Sequence, residues 1–341
     1  MNMQAAVWTD WDRIEIKTVP EPKPWPGYVK IKIISAGVCT TDVHVYTGKF
    51  KYGSPPHVLG HEIAGVVDCV GRGCRLYKPG DRVLVETSIG CGICRQCAYG
   101  NRHLCSDMTE IGFSPHQGGY SQYVCVPEQN LVSLPDSISF DEGGIFESSL
   151  CAVGALYRLG VNLGSVVAVI GVGVAGLSFI QGAKAMGAGT VIAIARNMEA
   201  LKRAERFGAD ISLPLDDQTV KFIDDLGGCD LVCEAAGAGA TIELSMTLAK
   251  AGGRVILYGI PSDDEFVQYP VTKIVTRQLS VFGAVGNPSA WGPVLHMVEK
   301  GHINLNDMIT HRFALSEIHK AFDLIKKRDR SLIKAVVHPW K

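Results

Sequence analysis

The sequence predicts an α/β protein in two parts, a β-rich, irregular first half followed by a doubly wound parallel sheet. Three observations carry that expectation. At 341 residues the chain exceeds one ordinary hydrophobic core and points to about two domains. Its first 145 residues hold short apolar runs broken at close intervals by Gly, Pro and Asp. From about residue 150, continuous apolar strands alternate with helical stretches, the pattern of a parallel sheet covered on both faces.

In the first half the strand-like runs include YVKIKII, AGVVDCV and DRVLVET. In the second, SVVAVIG reads as a buried strand, AGLSFIQGAKAMG as a helix, TVIAIA as a strand and MEALKRAERFG as a helix. CDLVCEAAG, GRVILYGI and LSVFGA supply three more strands, with a helical stretch over Ala240 to Ala251 between the first two. A helix over Trp291 to Lys300 precedes a return segment ending in LIKAVVHPW, expected to rejoin the first domain. The expected domains are 1–148, 149–286 and the returning 287–341, with a small lobe at about 88–108. No internal repeat or low-complexity tract is visible.

Composition excludes several function classes. A hydrophobic fraction of 47% with 20% charged residues is that of a soluble globular protein. Formal net charge is −1, which offers no electrostatic footprint for nucleic acid or an anionic membrane. The start MNMQAAVWTDWDR lacks the basic-then-apolar order of a secretory signal. The longest apolar run, Val166 to Ile180, falls about five residues short of a bilayer span and contains three glycines. A cytoplasmic location is expected, where clustered thiols favour metal over disulfides.

Cys91, Cys94, Cys97 and Cys105 follow the spacing C-x2-C-x2-C-x7-C. Four thiolates in a short lobe close tetrahedrally around Zn²⁺ and leave no vacant position, so this reads as a structural site. The alternative is a redox pair, but neither C-x-x-C opens a helix within a βαβ unit. A second group of donors is scattered. Cys39 and His61 are acceptable zinc ligands, Glu62 adds an oxygen, and Glu147 precedes the α/β half. By spacing alone each has a plain alternative, such as a small core thiol or a residue ending a strand.

The glycine pattern in VVAVIGVGVAGL places Gly171, Gly173 and Gly176, with Val174 and Ala175 between them, after a strand and at a helix start. The first glycine permits the turn, the second lets backbone approach a pyrophosphate, and the third lets helix pack on strand. This is a Rossmann dinucleotide fingerprint. The following strand ends in Ala195 and Arg196, where NAD enzymes usually carry an acid for the ribose 2′-hydroxyl. With no carboxylate to repel it and a guanidinium to pair with it, a 2′-phosphate is favoured, hence NADP(H) over NAD(H).

GVCTTDVH, GHEIAGVV, KPGDRV, the four-cysteine lobe, GVGVAG and MITHRFALSEIHKAFDLI occur in an order that resembles the zinc-dependent medium-chain dehydrogenases, over nearly the whole chain. The likeness is greatest to the sorbitol and threonine dehydrogenase branch, because Glu147 stands where liver-type alcohol dehydrogenases place a cysteine. The resemblance implies a GroES-like catalytic domain before the Rossmann domain, and two zinc ions per chain. It implies a catalytic zinc on Cys39, His61 and Glu147, with Glu62 as a further, exchanging ligand. One thiolate and one carboxylate neutralise Zn²⁺; a second carboxylate would weaken its Lewis acidity, which is why Glu62 is expected to exchange.

By the same resemblance, the Thr41 hydroxyl touches the substrate oxygen and His44 passes its proton outward. Asp42 is placed to accept the second N–H of His61 and fix its tautomer. The implied reaction interconverts a secondary alcohol and its ketone by hydride transfer. Tyr46, Phe113 and Phe146 are expected near the pocket.

Two departures leave the substrate open: VFGAVGN lacks the arginine with which sorbitol-type enzymes hold hydroxyls, and FESSL lacks the proline that commonly follows this glutamate. A homodimer or homotetramer through LSVFGA is expected. The remaining cysteines, Cys69, Cys74, Cys125, Cys151, Cys229 and Cys233, read as buried or half-buried thiols. A non-catalytic zinc-binding module is disfavoured by the neutral charge and the complete fingerprint. A metal-free reductase of the same fold would lack Cys39 and Glu147.

Overall fold

The structure, a computed structural model, describes residues 1–261, 265–286 and 288–341. It divides into two compact units, Met1–Ser148 with Leu305–Lys341, and Ser149–Asn304.

The first unit begins with β1 (Asn2–Asp10), β2 (Arg13–Pro20) and β3 (Tyr28–Val38), then the short helix α1 (Thr40–Tyr46). It continues through β4 (His57–Val58), β5 (Glu62–Val70), β6 (Arg82–Val85) and β7 (Ser88–Ile89). The single-turn helix α2 (Arg95–Ala98) follows, then β8 (Thr109–Glu110), β9 (Tyr123–Pro127) and β10 (Leu131–Ser133). Along β3 the apolar residues Val29, Ile31 and Ile33 are buried while Lys30 and Lys32 point to the other face, the period-2 alternation of a half-buried strand.

Helix α3 (Phe140–Leu159) contains the boundary between the units. It starts at a capping box: the Ser139 N–H donates to Glu142 Oε2 (2.9 Å) and the Glu142 N–H to Ser139 Oγ (3.2 Å).

The second unit holds β11 (Val166–Ile170), α4 (Val174–Ala185), β12 (Thr190–Ala195), α5 (Met198–Arg206), β13 (Ile211–Pro214) and α6 (Asp217–Asp225). After these come β14 (Cys229–Glu234), α7 (Gly239–Leu248), β15 (Ala249–Leu257), α8 (Val271–Thr276), β16 (Ser280–Gly283) and α9 (Trp291–Glu299). The six strands form an all-parallel sheet in the order β13-β12-β11-β14-β15-β16. Residues 167–170 and 191–194 are buried without alternation, as a sheet covered on both faces requires. Strand β13 carries little sequence signal, being four residues ending in Pro214 on a sheet edge, where proline is tolerated.

Helix α9 groups with this second unit, and the first unit resumes at Leu305. There β17 (Ile309–Ala314), α10 (Ile318–Lys326) and β18 (Lys334–His338) complete the chain. Strand β18 pairs antiparallel with β3 and parallel with β17, so the main sheet runs β10-β6-β5-β3-β18-β17, with β9 also on β3. The LIKAVVHPW segment thus lies beside the strand that leads into Cys39.

Candidate metal centre and dinucleotide loop

The register between β3 and β5 sets Gly37 opposite Glu62. Two residues after Gly37 the chain turns into α1 with Cys39 as its N-cap, and just before Glu62 it turns at Gly60 (φ +101°) to present His61. One ligand atom from each of Cys39, His61 and Glu62 lies within 4.8 Å of the others. Gly37 must be glycine: a Cβ there would collide with Glu62 Oε2 and the Gly144 carbonyl.

Asp42 is fully buried beneath this trio. Its Oδ1 accepts from His61 Nδ1 (3.0 Å) and the Gly60 N–H (3.2 Å); its Oδ2 accepts from the Tyr120 hydroxyl (2.7 Å) and the Cys39 N–H (3.3 Å). A carboxylate at Nδ1 leaves Nε2 with its lone pair free for a metal. Burial disfavours the ionised Asp42, but His61 and the hydrogen bonds outweigh it and hold the carboxyl below its ordinary value. Burial alone would depress the His61 imidazole, yet Asp42 and Cys39 raise it well above its usual range. The pocket therefore attracts positive charge strongly, and its soft and hard donors match Zn²⁺.

Glu62 is 0% exposed, and its Oε1 accepts from Lys334 Nζ (2.5 Å) and Ser148 Oγ (2.5 Å). Its Oε2 is buried without a hydrogen-bond partner, as a ligand oxygen would be. Lys334 is 4% exposed and also donates to Ser148 Oγ at 2.9 Å. Burial opposes its charge, but Glu62, Cys39 and Glu147 together keep its ammonium above the ordinary lysine value. Glu147, next to Ser148 on α3, lies outside the close set but near enough to act on its neighbours. Burial raises Glu86 to about 7, with Arg102 opposing and Glu147 adding to the rise. Burial likewise raises Glu110, with His61 opposing and Glu147 adding.

In the cysteine lobe the four sulfurs of Cys91, Cys94, Cys97 and Cys105 also converge within 4.8 Å. Backbone N–H groups of Cys91, Cys94 and Cys97 donate to the sulfurs of Cys105, Cys91 and Cys94 at 3.4–3.5 Å. The N–H groups of Ile93 and Cys94 bring the Cys91 thiol down to about 7. At Cys97 the Gly92 N–H favours the thiolate, but burial and the neighbouring cysteines outweigh it and push the thiol up to about 11. Four crowded sulfurs that cannot all ionise without a cation are a donor set for zinc.

In the second unit Gly171 turns at φ +91°, and Gly173 is the exposed N-cap of α4. A Cβ on Gly176 would strike the Gly171 carbonyl, whereas one on Gly173 would meet nothing within 4 Å, an open cradle above the helix start. Ala195 ends β12 and Arg196 is exposed beside it.

The comparisons with known proteins agree with this geometry. Residues 25–136 match the alcohol dehydrogenase GroES-like domain family and residues 173–300 the zinc-binding dehydrogenase family. L-threonine 3-dehydrogenase of Bacillus licheniformis is 35% identical over 318 residues, 91% of each chain. The chain belongs to the zinc-dependent medium-chain dehydrogenases. Its place is in their sorbitol and threonine dehydrogenase branch: sorbitol dehydrogenase of Bacillus subtilis is 29% identical over 99% of this chain and 98% of that one. Among solved structures, a zinc-binding dehydrogenase of Sinorhizobium meliloti bound to NADP superposes with a TM-score of 0.91 at 32% identity, covering 99% and 100% of the two chains. The 2R,3R-butanediol dehydrogenase of Bacillus subtilis gives 0.92 at 29%, covering 99% of each. The protein is accordingly an oxidoreductase acting on CH–OH groups with zinc and NAD(P).

In this dehydrogenase the sequence-selected residues do not all converge. Cys39, His61 and Glu62 come together, with Asp42 on His61, while Glu147 stands outside that set. Thr41 and His44 are half-buried on α1. The His44 ring packs edge-on against Phe50, and burial, with Lys49 and Arg328 nearby, holds its pKa below the ordinary value. Phe113 lies 5.3 Å from the His61 ring, but Tyr46 packs on Phe322 in the core and Phe146 is fully buried. Lys334, Glu86, Glu110 and Tyr120 escaped the sequence reading. For Lys334 a signal existed, a lone cation inside the apolar LIKAVVHPW strand.

Proposed function

We propose that the protein interconverts a secondary alcohol and its ketone with NADP(H), the substrate being a polyol, diol or other small hydroxy metabolite. The observation that carries this reading is the buried Cys39–His61–Glu62 donor set backed by Asp42 and Lys334. Cys39, His61 and Glu62 would hold the catalytic zinc, with Glu147 as the partner that exchanges. This reverses the parts the sequence suggested for the two glutamates. The reason is electrostatic: Lys334 neutralises Glu62, so Cys39 and Glu62 together no longer exhaust the charge of the ion, and Glu147 can approach without leaving the centre anionic. Zinc bound there would supply Lewis acidity to acidify the substrate hydroxyl, and NADP would take up the hydride. The Thr41 hydroxyl receives the substrate proton and His44 hands it on to water. Cys91, Cys94, Cys97 and Cys105 would hold the second, structural zinc.

Arg196, with Ala195 in place of an acid, supports the cofactor choice, as does the NADP bound to the Sinorhizobium relative. One charge-assisted contact of roughly 1.5–3 kcal/mol corresponds to a preference of about ten- to a hundredfold. We test both parts by screening short diols, polyols, polyol phosphates and hydroxy amino acids with each cofactor, before and after Arg196→Ala. An unchanged NADP/NAD ratio of kcat/KM defeats the cofactor proposal. A fully loaded protein with one zinc equivalent, in the lobe, and no turnover of any carbinol defeats the rest.

A homodimer or homotetramer through β16 is part of the same reading. That strand is a sheet edge; Val281 on it, Val285 just after it, and Val271 and Val275 on the preceding helix α8 are exposed. Light scattering should give at least twice the 36.7 kDa chain mass, and a monomer would refute it. Among the described residues no helix is long and apolar enough to cross a membrane.

A further inference from the structure

Tyr120 is 0% exposed and reaches the metal centre from a loop that carries no candidate ligand. Its backbone is tied on both sides: its N–H donates to the Leu59 carbonyl (3.0 Å), and its carbonyl accepts from the Ala6 N–H (2.8 Å). Its ring lies on Gly60, where a Cβ would come within 2.9 Å of ring carbons, and near Phe322 at 5.9 Å. The hydroxyl is thus held rigidly. It donates to Asp42 Oδ2 at 2.7 Å and lies 3.3 Å from the Gly37 carbonyl. Of the four donors to Asp42 it is the shortest, and its companion on Oδ2, the Cys39 N–H, is long at 3.3 Å. Without the phenol one oxygen of a wholly buried carboxylate keeps a single weak donor, and the carboxylate is free to turn away from His61.

We infer that Tyr120 is a positioning residue for the Cys39–His61–Glu62 centre: its hydroxyl pins Asp42, and Asp42 in turn fixes the ring orientation and tautomer of His61. The inference rests on the reading of that trio as the catalytic zinc site. It assigns the 118–121 loop a task in metal retention, in addition to packing.

The test uses the full-length, zinc-loaded protein and competition with a chelator, which resolves the two ions because the cysteine lobe serves as an internal reference. Tyr120→Phe keeps the ring and removes the hydroxyl. It should weaken the non-lobe zinc by roughly ten- to a hundredfold, the usual effect of losing such an outer partner, and leave the lobe zinc unchanged. In an Asp42→Asn background, Tyr120→Phe should have no further effect, because the group through which it acts is already altered. A residue that merely packs would lower the melting temperature of zinc-loaded and zinc-stripped protein alike and leave the zinc affinity at its wild-type value. Wild-type affinity in Tyr120→Phe, or losses that multiply in the double variant, overturns the inference while the wild-type protein still holds two ions. A wild type that binds zinc in the lobe alone overturns the reading of the site and the inference together.

Discussion

The two clusters of the first unit that could hold a metal ion are built on opposite plans. The cysteine lobe draws four identical ligands from fifteen consecutive residues and surrounds its sulfurs with nearby backbone N–H groups. The Cys39–His61–Glu62 centre draws unlike ligands from the end of β3 and the start of β5, and its charged backing comes from much farther away. Lys334 is 272 residues from the Glu62 it neutralises. A closed, uniform shell needs little from the remainder of the fold. A cluster of unlike donors needs them aimed and their charge balanced, and distant strands meet that need.

Breaking the distant support should have the largest effect. Lys334→Met leaves Glu62 buried without its cation, which costs about 3–5 kcal/mol of stability. Denaturant unfolding of the zinc-stripped protein measures this, and a loss under about 1 kcal/mol would contradict a stabilising role for the buried pair. Next comes Asp141, which joins the two strands of the return segment to α3: its carboxylate accepts from Arg312 Nε and His338 Nε2, each at 2.7 Å. Burial opposes its ionisation, but His338 and Arg312 prevail and hold it well below the ordinary carboxyl range. A depressed carboxyl stabilises fully above its unfolded value near pH 4 and loses that contribution as pH falls toward its folded value. Asp141→Asn should therefore cost about 1.5–3 kcal/mol at pH 7 and progressively less in acid, seen as converging unfolding curves.

Glu86 should show the opposite slope. Its folded value of about 7 exceeds the unfolded one, so between about pH 4.5 and 7 the folded chain keeps a proton that the unfolded chain has released. Stability from this group falls as pH rises through that window, and Glu86→Gln should flatten the fall; an unaltered pH–stability curve would contradict the assignment. The smallest effect sharpens the contrast directly. Cys97→Ser should abolish zinc binding in the lobe yet change the affinity of the other centre by less than about twofold. A larger change would have to travel through the ion pair between Arg102 of the lobe and Glu86 (3.2 Å).

What was legible in the sequence follows the same division. The lobe and the glycine loop could be read because each is a local device whose spacing is its function: C-x2-C brings two sulfurs together, and Gly176 must be bare to pass the Gly171 carbonyl. The parallel sheet was legible from its unbroken apolar strands, but β13 was not, since four residues ending in proline carry no periodicity. Cys39 and His61 stood out as zinc-type donors and were grouped by resemblance, and Asp42 was read from its place in the same GVCTTDVH motif. The Lys334–Glu62 ion pair, on which the proposed exchange of parts between Glu62 and Glu147 rests, was not legible, because it depends on β18 pairing with β3. Tyr120, Glu86 and Glu110 were invisible for the same reason. Nothing within a few residues of them announces what they face.

The position of β18 also sets a timetable. Synthesis proceeds from the N-terminus at roughly 5–20 residues per second, so the stretch between Glu62 and Lys334 occupies the ribosome for on the order of tens of seconds. Through that interval the cysteine lobe has all its ligands and can capture its ion. Glu62 must wait, hydrated, for a counter-charge translated 272 residues later.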